Sequence, residues 1–593
     1  MKKIISLVTA IFITLSLISC KDSDDGDDGV RSSSELYSVY LEGNCCFEMP
    51  LYFLDDVNDL PYIVVNDGAD ILRFLYEAFS GSVDFTVLKE GSNFTLVRKN
   101  DVYGADIPVT IDFEKDLIRF QDYDLFAMRP ECATIMDVTS RTYVDENNNP
   151  FLIQKRPSKY LPRFGEPLEI NLKSYGIDLP VVDGEYLIPL QTFSDIFIAP
   201  VFLYNFYFNG NCLVFTGDLS EKGNENDRKV YYEGEHGERS PELAKFGYGE
   251  LCMMLDNLYG LKDHKEISSF DTLFQTVGSS SIESRSIVQE QSLKSYLLGS
   301  SVFNADKAIY TLIGSFLDDN HCKWYNFSYL TGEHEGFKPD GAARERLDEY
   351  EKQYKAARDA FYPDGIPAYE EIGDTAFITF DIFEMDSELW SKPSGYYTTP
   401  LSEFPEKDIF GLIMKAHDQI TRENSPIKNV VIDLSVNIGG AADLAVYIIS
   451  WFLGEYDMSI KNTMSGAVST TFYRCDANRD HKFDEKDTLG DRKLFCLTSP
   501  VSFSCGNLVP SAFKESEKVT LIGKTSAGGA CVVQPVSSAW GTSFRISGPM
   551  CLVSMKNGAY YDIDQGAEPD YTLRSPESYY NRSELVNFIN SIK

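Results

Sequence analysis

Residues 429–444 read NVVIDLSVNIGGAADL. The run from Val430 to Leu434 is apolar except for Asp433, which is too continuous for a strand with one wet face and predicts a strand covered on both. Gly439 and Gly440 follow, and from residue 441 to 452 the spacing becomes helical. The same succession recurs on either side. Residues 376–383 are nearly all apolar, and behind them Ile409, Leu412, Ile413, Ala416 and Ile420 fall on one helical face. Residues 494–497 and 519–522 read as two further strands, with a short helical segment after Ser504 between them. Strands alternating with helices predict an α/β core with a largely parallel sheet over residues 372–593.

Upstream the pattern changes twice. Residues 243–371 carry helical faces, Leu251, Leu255 and Leu258 in one and Ile309, Leu312, Ile313, Phe316 and Leu317 in another, then a charged helical connector expected to be exposed. They form a helical subdomain. Residues 219–242 are polar and charged and read as a linker. Residues 35–218 are short apolar runs between turn residues, a β-rich (α+β) accessory region. Within it LPYIVVNDGADIL and GEYLIPLQTFSDIF match at a constant offset of 125, Ile63 with Ile188 and Asp70 with Asp195. That is either two repeats of one unit or a coincidence of short strings.

The first nineteen residues are Lys2 and Lys3, an apolar run to Ile18, then Ser19, ahead of Cys20. This is a signal peptide in form, too short to span a bilayer comfortably. Its ending, LISC, resembles a lipobox, in which Cys20 is acylated. The acidic tether 20–34 resembles the stretch after the lipidated cysteine in surface-exposed lipoproteins of Bacteroides-like bacteria. An exported lipoprotein of the outer membrane is expected, anchored by Cys20. With 54 basic against 90 acidic residues the net charge is −36, which repels phosphate and excludes nucleic acid as the main partner. Twelve cysteines in so long a chain are no dense disulfide framework; one or two bridges fit the number, and spacing assigns none.

Three separated segments, LIGSFLDDNHCKW (312–324), NVVIDLSVNIGGAADL (429–444) and LTSPVSFSCGNLVPSAF (497–513), resemble in that order the tail-specific, or carboxyl-terminal-processing, serine peptidases. LIGKTSAGGA (521–530) and GAEPDYTL (566–573) fit the same family's closing elements. The resemblance covers the chain from about residue 243 onward and implies a fold related to the Clp peptidase and crotonase cores, protein or peptide substrates, and no cofactor for catalysis. Ser504 stands at the family's nucleophile position. A serine there needs a bend, which Gly506 permits, and a helix start whose N–H groups meet an oxyanion. The local alternative is a serine that only caps its helix.

One branch of the family takes its base from a lysine one loop downstream, where this chain has Gly529. The other, resembling the tricorn core, uses a histidine from the helical region, and His321 stands there. The local alternative is a histidine closing a helix C-terminus. Asn320 replaces the serine that precedes the histidine, and Glu568 is the counterpart of the orienting glutamate. DLSVNIGG (433–440) resembles the family's Asp-Leu-Arg-x-Asn-x-Gly-Gly, with Ser435 in place of the arginine. The amide of Gly439 or Gly440, with that of Cys505, is the expected oxyanion hole.

Independently of the family, DANRDHKFDEKD (476–487) sets Asp476, Asn478, Asp480, Asp484 and Asp487 at positions 1, 3, 5, 9 and 12, with the Lys482 carbonyl at 7, a spacing that wraps a chain around Ca²⁺. His481 departs from the usual glycine. The alternative is a solvated acidic turn. The whole predicts a lipid-anchored serine endopeptidase; a catalytically inactive binding or scaffold lipoprotein of the same fold is the rival, and an acyl-CoA enzyme of the crotonase type comes third.

Overall fold

Strand Asn429–Asp433 is buried along its whole length and pairs in parallel with Thr375–Thr379 on one side and Lys493–Thr498 on the other. The computed structural model describes residues 32–55, 57–99, 106–130, 132, 134–139, 150–159, 162–220, 223–276, 292–333, 341–556 and 559–592. The chain forms two compact units. The first comprises residues 1–130, 165–342 and 533–549, the second 131–164, 343–532 and 550–593.

In the second unit the central sheet runs Tyr369–Ile372, Thr375–Thr379, Asn429–Asp433, Lys493–Thr498, Val519–Gly523, Tyr571–Thr572. Only the first pair is antiparallel. The α/β core with a largely parallel sheet is therefore present, and the strand–helix alternation explains it: a parallel pair needs a crossover, and here helices Ile409–Thr421, Ala442–Leu453 and Cys505–Ser516 supply it. Register sets Thr379 beside Asp433, Asp433 beside Leu497 and Leu497 beside Ile522. The carboxyl ends are thus in line, and the loops after them leave one edge together. Phe377, Val431, Phe495, Leu497 and Ile522 build the core with Tyr579, Leu585 and Ile589.

Helix Ala342–Phe361, expected as an exposed connector, contributes Leu347 and Tyr354 to that core. Two apolar residues seven apart make a narrow stripe that the surrounding charges conceal in the sequence. A second, antiparallel layer holds Tyr456–Asn462, Val468–Cys475 and Ile153–Pro157. Residues 131–164, expected in the accessory region, therefore belong with the core.

The first unit is β-rich, as composition implied. Its larger sheet runs Val181–Val182, Glu185–Pro189, Val57–Val64, Asn44–Leu54, Ser32–Leu41, Leu213–Thr216, Asn205–Phe208; a smaller antiparallel one holds Phe85–Glu90, Asn93–Arg98, Ile107–Asp112, Leu117–Phe120 and Leu168–Asn171. The two matched strings lie side by side, Ile63 directly opposite Ile188. Each continues into helical turns, Val65–Phe79 and Leu190–Phe193. The expected linker contains helix Glu225–Tyr231, whose Tyr231 is wholly buried and donates to the Gly541 carbonyl at 2.6 Å. The expected helical subdomain divides: Pro241–Leu258 and Val302–Thr311 cluster with this unit, and the helix from residue 342 starts the other. No helix among the described residues is long and apolar enough to cross a membrane.

Candidate active site

Four loops leave the carboxyl edge of the parallel sheet, the usual place for a site in an open α/β fold. Residues 434–440 and 498–504 are bound to each other first. Ser502 Oγ donates to the Leu434 carbonyl at 2.7 Å, Ser499 Oγ to the Ser435 carbonyl at 2.6 Å, and Phe503 N–H to the Asn437 carbonyl at 3.0 Å. From the other side the 526–530 loop closes in, Ala527 N–H donating to the Ser502 carbonyl at 2.8 Å and Ser504 N–H to the Gly528 carbonyl at 2.9 Å.

Ser504 is held at the centre with φ 57° and ψ −120°, a conformation that side-chain-bearing residues rarely adopt. It immediately precedes helix Cys505–Ser516, yet its side chain makes no capping hydrogen bond. The side-chain cap that the alternative reading requires is therefore absent. Space for this bend comes from glycines. A β-carbon at Gly439 (φ 102°) would lie 2.7 Å from Ser504 Cβ, and one at Gly529 (φ 92°) 3.0 Å from Ser504 N. Gly529 is the position where the lysine branch would place its base, so a residue there starts against the serine.

The two expected glycine donors are now distinguishable. Gly439 N–H donates to Asn437 Oδ1 at 2.9 Å and is engaged. Gly440 N–H donates to no described residue, and its carbonyl accepts from Cys505 Sγ at 3.1 Å. Cys505 N–H, the first of its helix, has no intrahelical carbonyl to meet. The Cys505 thiol is buried, and burial pushes its pKa up to about 12, so it stays protonated.

Several residues that shape this turn were not singled out in the sequence. Asn437 is buried, and besides holding Gly439 it donates from Nδ2 to the Phe380 carbonyl at 3.1 Å. Asp564 Oδ1 accepts from the amides of Gly529 and Ala530 at 3.0 and 3.1 Å. Ser526 Oγ donates to Asn507 Oδ1 at 2.6 Å. Asn437 stood inside a recognised motif and could have been found there; Asp564 and Ser526 come from segments whose spacing says nothing of it. Ser435, in the arginine's place, is buried and shares a 3.0 Å hydrogen bond with Tyr580 Oη.

His321 belongs to the first unit. It lies past helix Val302–Thr311 and the π-turn Leu312–Phe316, where its N–H donates to Asp319 Oδ1 at 2.9 Å and its carbonyl accepts from Arg545 Nε at 2.8 Å. The ring is buried, and burial pushes its pKa down to about 4, leaving it neutral at pH 7. Glu568 is exposed and makes no hydrogen bond among the described residues. Cys20 lies outside the described residues.

The loop 476–487 folds back on itself. Asp487 Oδ1 accepts from Ala477 N–H at 2.8 Å and Asn478 N–H at 3.1 Å, and Asp476 Oδ2 from His481 N–H at 2.9 Å. Asp480 and Asp484 accept from the amides of Lys482 and Lys486. Among the described residues no group of three or more His, Cys, Asp or Glu side chains is arranged to hold a metal ion.

Residues 403–573 match the model of Peptidase family S41. No curated protein matches the chain. Among solved structures, a protein from Parabacteroides merdae described as a peptidase is 15% identical, with a TM-score of 0.38, over 59% of this chain and 96% of its own. An S41 protease from Bacteroides fragilis is 13% identical (TM-score 0.24; 37% and 57%), and the tricorn protease 11% identical (0.30; 86% and 47%). Superpositions this loose add nothing to the family match.

Proposed function

We propose, from the match of residues 403–573 to the S41 peptidase model, that this chain is a serine endopeptidase acting through an acyl-enzyme on Ser504. The observation that carries the reading is the strained Ser504 turn, whose side chain is withheld from its own helix. In the proposed reaction Ser504 Oγ attacks the peptide carbonyl and the amides of Gly440 and Cys505 receive the oxyanion. Losing one such donor typically costs about 100–1,000-fold in rate. The base is His321, a role resting on its motif and on a ring that is neutral at working pH. It takes the serine proton and returns it to the leaving amine; water then releases the acyl group. Glu568, exposed, has no structural support as the orienting residue. Export and anchoring through Cys20 belong to the same proposal and rest on the LISC sequence.

The test uses the chain from Lys21 onward beside its Ser504→Ala counterpart, both incubated with unfolded casein, new peptide ends being read by mass spectrometry. Cleavage lost with Ser504→Ala supports the reading. Equal cleavage by both, or none from folded wild type, refutes it, and the latter favours the binding lipoprotein. We propose further that loop 476–487 takes Ca²⁺ once Asp480 and Asp484 turn inward. The spacing and the closure of Asp487 onto residues 477 and 478 support this. At ~100-fold above its Kd, Ca²⁺ then adds about 2.7 kcal/mol, several degrees in Tm, and Asp487→Asn abolishes the gain. An unchanged wild-type Tm removes the proposal.

A further inference from the structure

Cys531 opens strand Cys531–Ser537, and Cys551 lies within strand Ser543–Lys556, its neighbour. Both are buried, and their Sγ atoms stand 3.2 Å apart. One residue along, Leu552 N–H donates to the Ala530 carbonyl at 2.8 Å, which fixes the two strands against sliding. A disulfide bond is about 2.05 Å long, so the sulfurs need to close by only about 1 Å. From this geometry we infer that Cys531 and Cys551 form a disulfide in the mature protein.

The position gives the bond a purpose. The chain leaves the second unit at Val532 and re-enters it at Met550, so the two cysteines stand one residue inside the exit and the return. A bridge there closes the neck of the excursion. It also anchors the segment that runs directly into the Ser504 turn: Ala530 and Gly529 are held by Asp564, and Gly528 accepts from Ser504 N–H. Cross-linking residues twenty apart restricts the unfolded chain more than the folded one, where the sulfurs already touch.

The oxidant is a disulfide-bearing thiol oxidant: a protein disulfide donor where the chain matures, glutathione disulfide in the test. One cysteine thiolate attacks the oxidant's S–S bond, forming a mixed disulfide and releasing one thiolate. The second cysteine thiolate attacks the first cysteine's sulfur and releases the other. Two protons leave the cysteines and two electrons pass to the oxidant. Because both thiols are buried once folded, the exchange belongs to folding, before the strands close.

The experiment refolds the full chain with glutathione disulfide, blocks remaining thiols with iodoacetamide in denaturant, and digests without reductant. Trypsin cuts after Lys524, Arg545 and Lys556, placing the two cysteines on separate peptides, 525–545 and 546–556. The expected result is these peptides joined, two hydrogens lighter than their sum and separated by reductant. Reductant also lowers the wild-type Tm by several degrees and leaves Cys531→Ala/Cys551→Ala unmoved. Both cysteines recovered alkylated, or either joined to a different cysteine, overturns the inference. Should the double variant fail to fold, the wild-type peptide map decides alone. The outcome is independent of whether the chain cleaves peptides.

Discussion

Replacing Ser504 by glycine should make the protein more stable than replacing it by alanine, although both changes remove the same hydroxyl. Ser504 sits at φ 57° and ψ −120°. A residue with a β-carbon pays about 1–3 kcal/mol to stay in such a region, and alanine retains that β-carbon while glycine does not. Against this, glycine frees the unfolded chain, costing about 0.5–1 kcal/mol relative to alanine. The difference leaves glycine ahead by about 0–2.5 kcal/mol, with a midpoint of about 1 kcal/mol. In a cooperative unit of 150–250 residues each kcal/mol moves Tm by roughly 2–4 °C, so Ser504→Gly should melt a few degrees above Ser504→Ala in calorimetry. The control is Ser511, inside the same helix with ordinary helical geometry. There the order should invert, Ser511→Gly melting below Ser511→Ala. If Ser504→Gly melts at or below Ser504→Ala, the turn stores no strain, and the reasoning that singles out Ser504 from its backbone fails.

With His321 as base, kcat/KM should hold down to near pH 4 and fall only below it, because the buried imidazole is neutral above about pH 4. An acid limb at pH 6–7 in the pH–rate profile places the base elsewhere. Glu250, buried beside Asp195, has its pKa raised to about 7 by burial, so between about pH 4.5 and 7 the folded state holds a proton that the unfolded state has released. Stability from this group is full below that window and lost as pH rises through 7; Tm of wild type should fall between pH 5 and 8 more steeply than that of Glu250→Gln, and parallel curves would refute it. Arg582 Nη2 and Asp433 Oδ2 are 2.6 Å apart with side chains almost fully buried. Arg582→Met should cost about 3–5 kcal/mol by stranding the carboxylate, and adding Asp433→Leu should recover most of it; an additive double-mutant cycle would show that the pair is not coupled.

The parallel core was legible because a strand buried on both faces must be almost continuously apolar, and residues 376–379 and 430–434 are. Ser504 was singled out through its segment's likeness to a family, not through its own neighbours, which suit a cap equally well. Its φ and ψ and the missing capping bond tell against the cap, and no spacing encodes them. The division of the chain was not legible. Ile153–Pro157 joins Val468–Cys475 across more than three hundred residues of sequence, and such a pairing leaves no local trace. The linker reading failed for a similar reason: residues 219–242 are polar overall, and the burial rests on a few scattered residues, Leu219, Asp227, Tyr231 and Arg239, that make no periodic pattern.

At the end of strand Asn429–Asp433, Ser435 stands where the family's motif has an arginine. Asp433 still has a guanidinium, but Arg582 brings it from helix Arg582–Ser591, with its Nη1 donating to the Tyr579 carbonyl at 3.0 Å and its plane 4.3 Å from the Phe377 ring centroid. Ser435 shares a hydrogen bond with Tyr580 Oη through its Oγ, and its N–H donates to Asp433 Oδ1 at 2.9 Å. The closing helix of the chain is thereby fastened to the strand end that leads, through Asn437, into Gly439 and Gly440. The cation at this strand end is Arg582, and it fixes the Asp433 carboxylate. That fastening reaches the Ser504 turn as well, because Phe503 N–H donates to the Asn437 carbonyl at 3.0 Å and Asn437 Oδ1 holds the Gly439 amide, so a change at Tyr580 or Arg582 is transmitted to both loops.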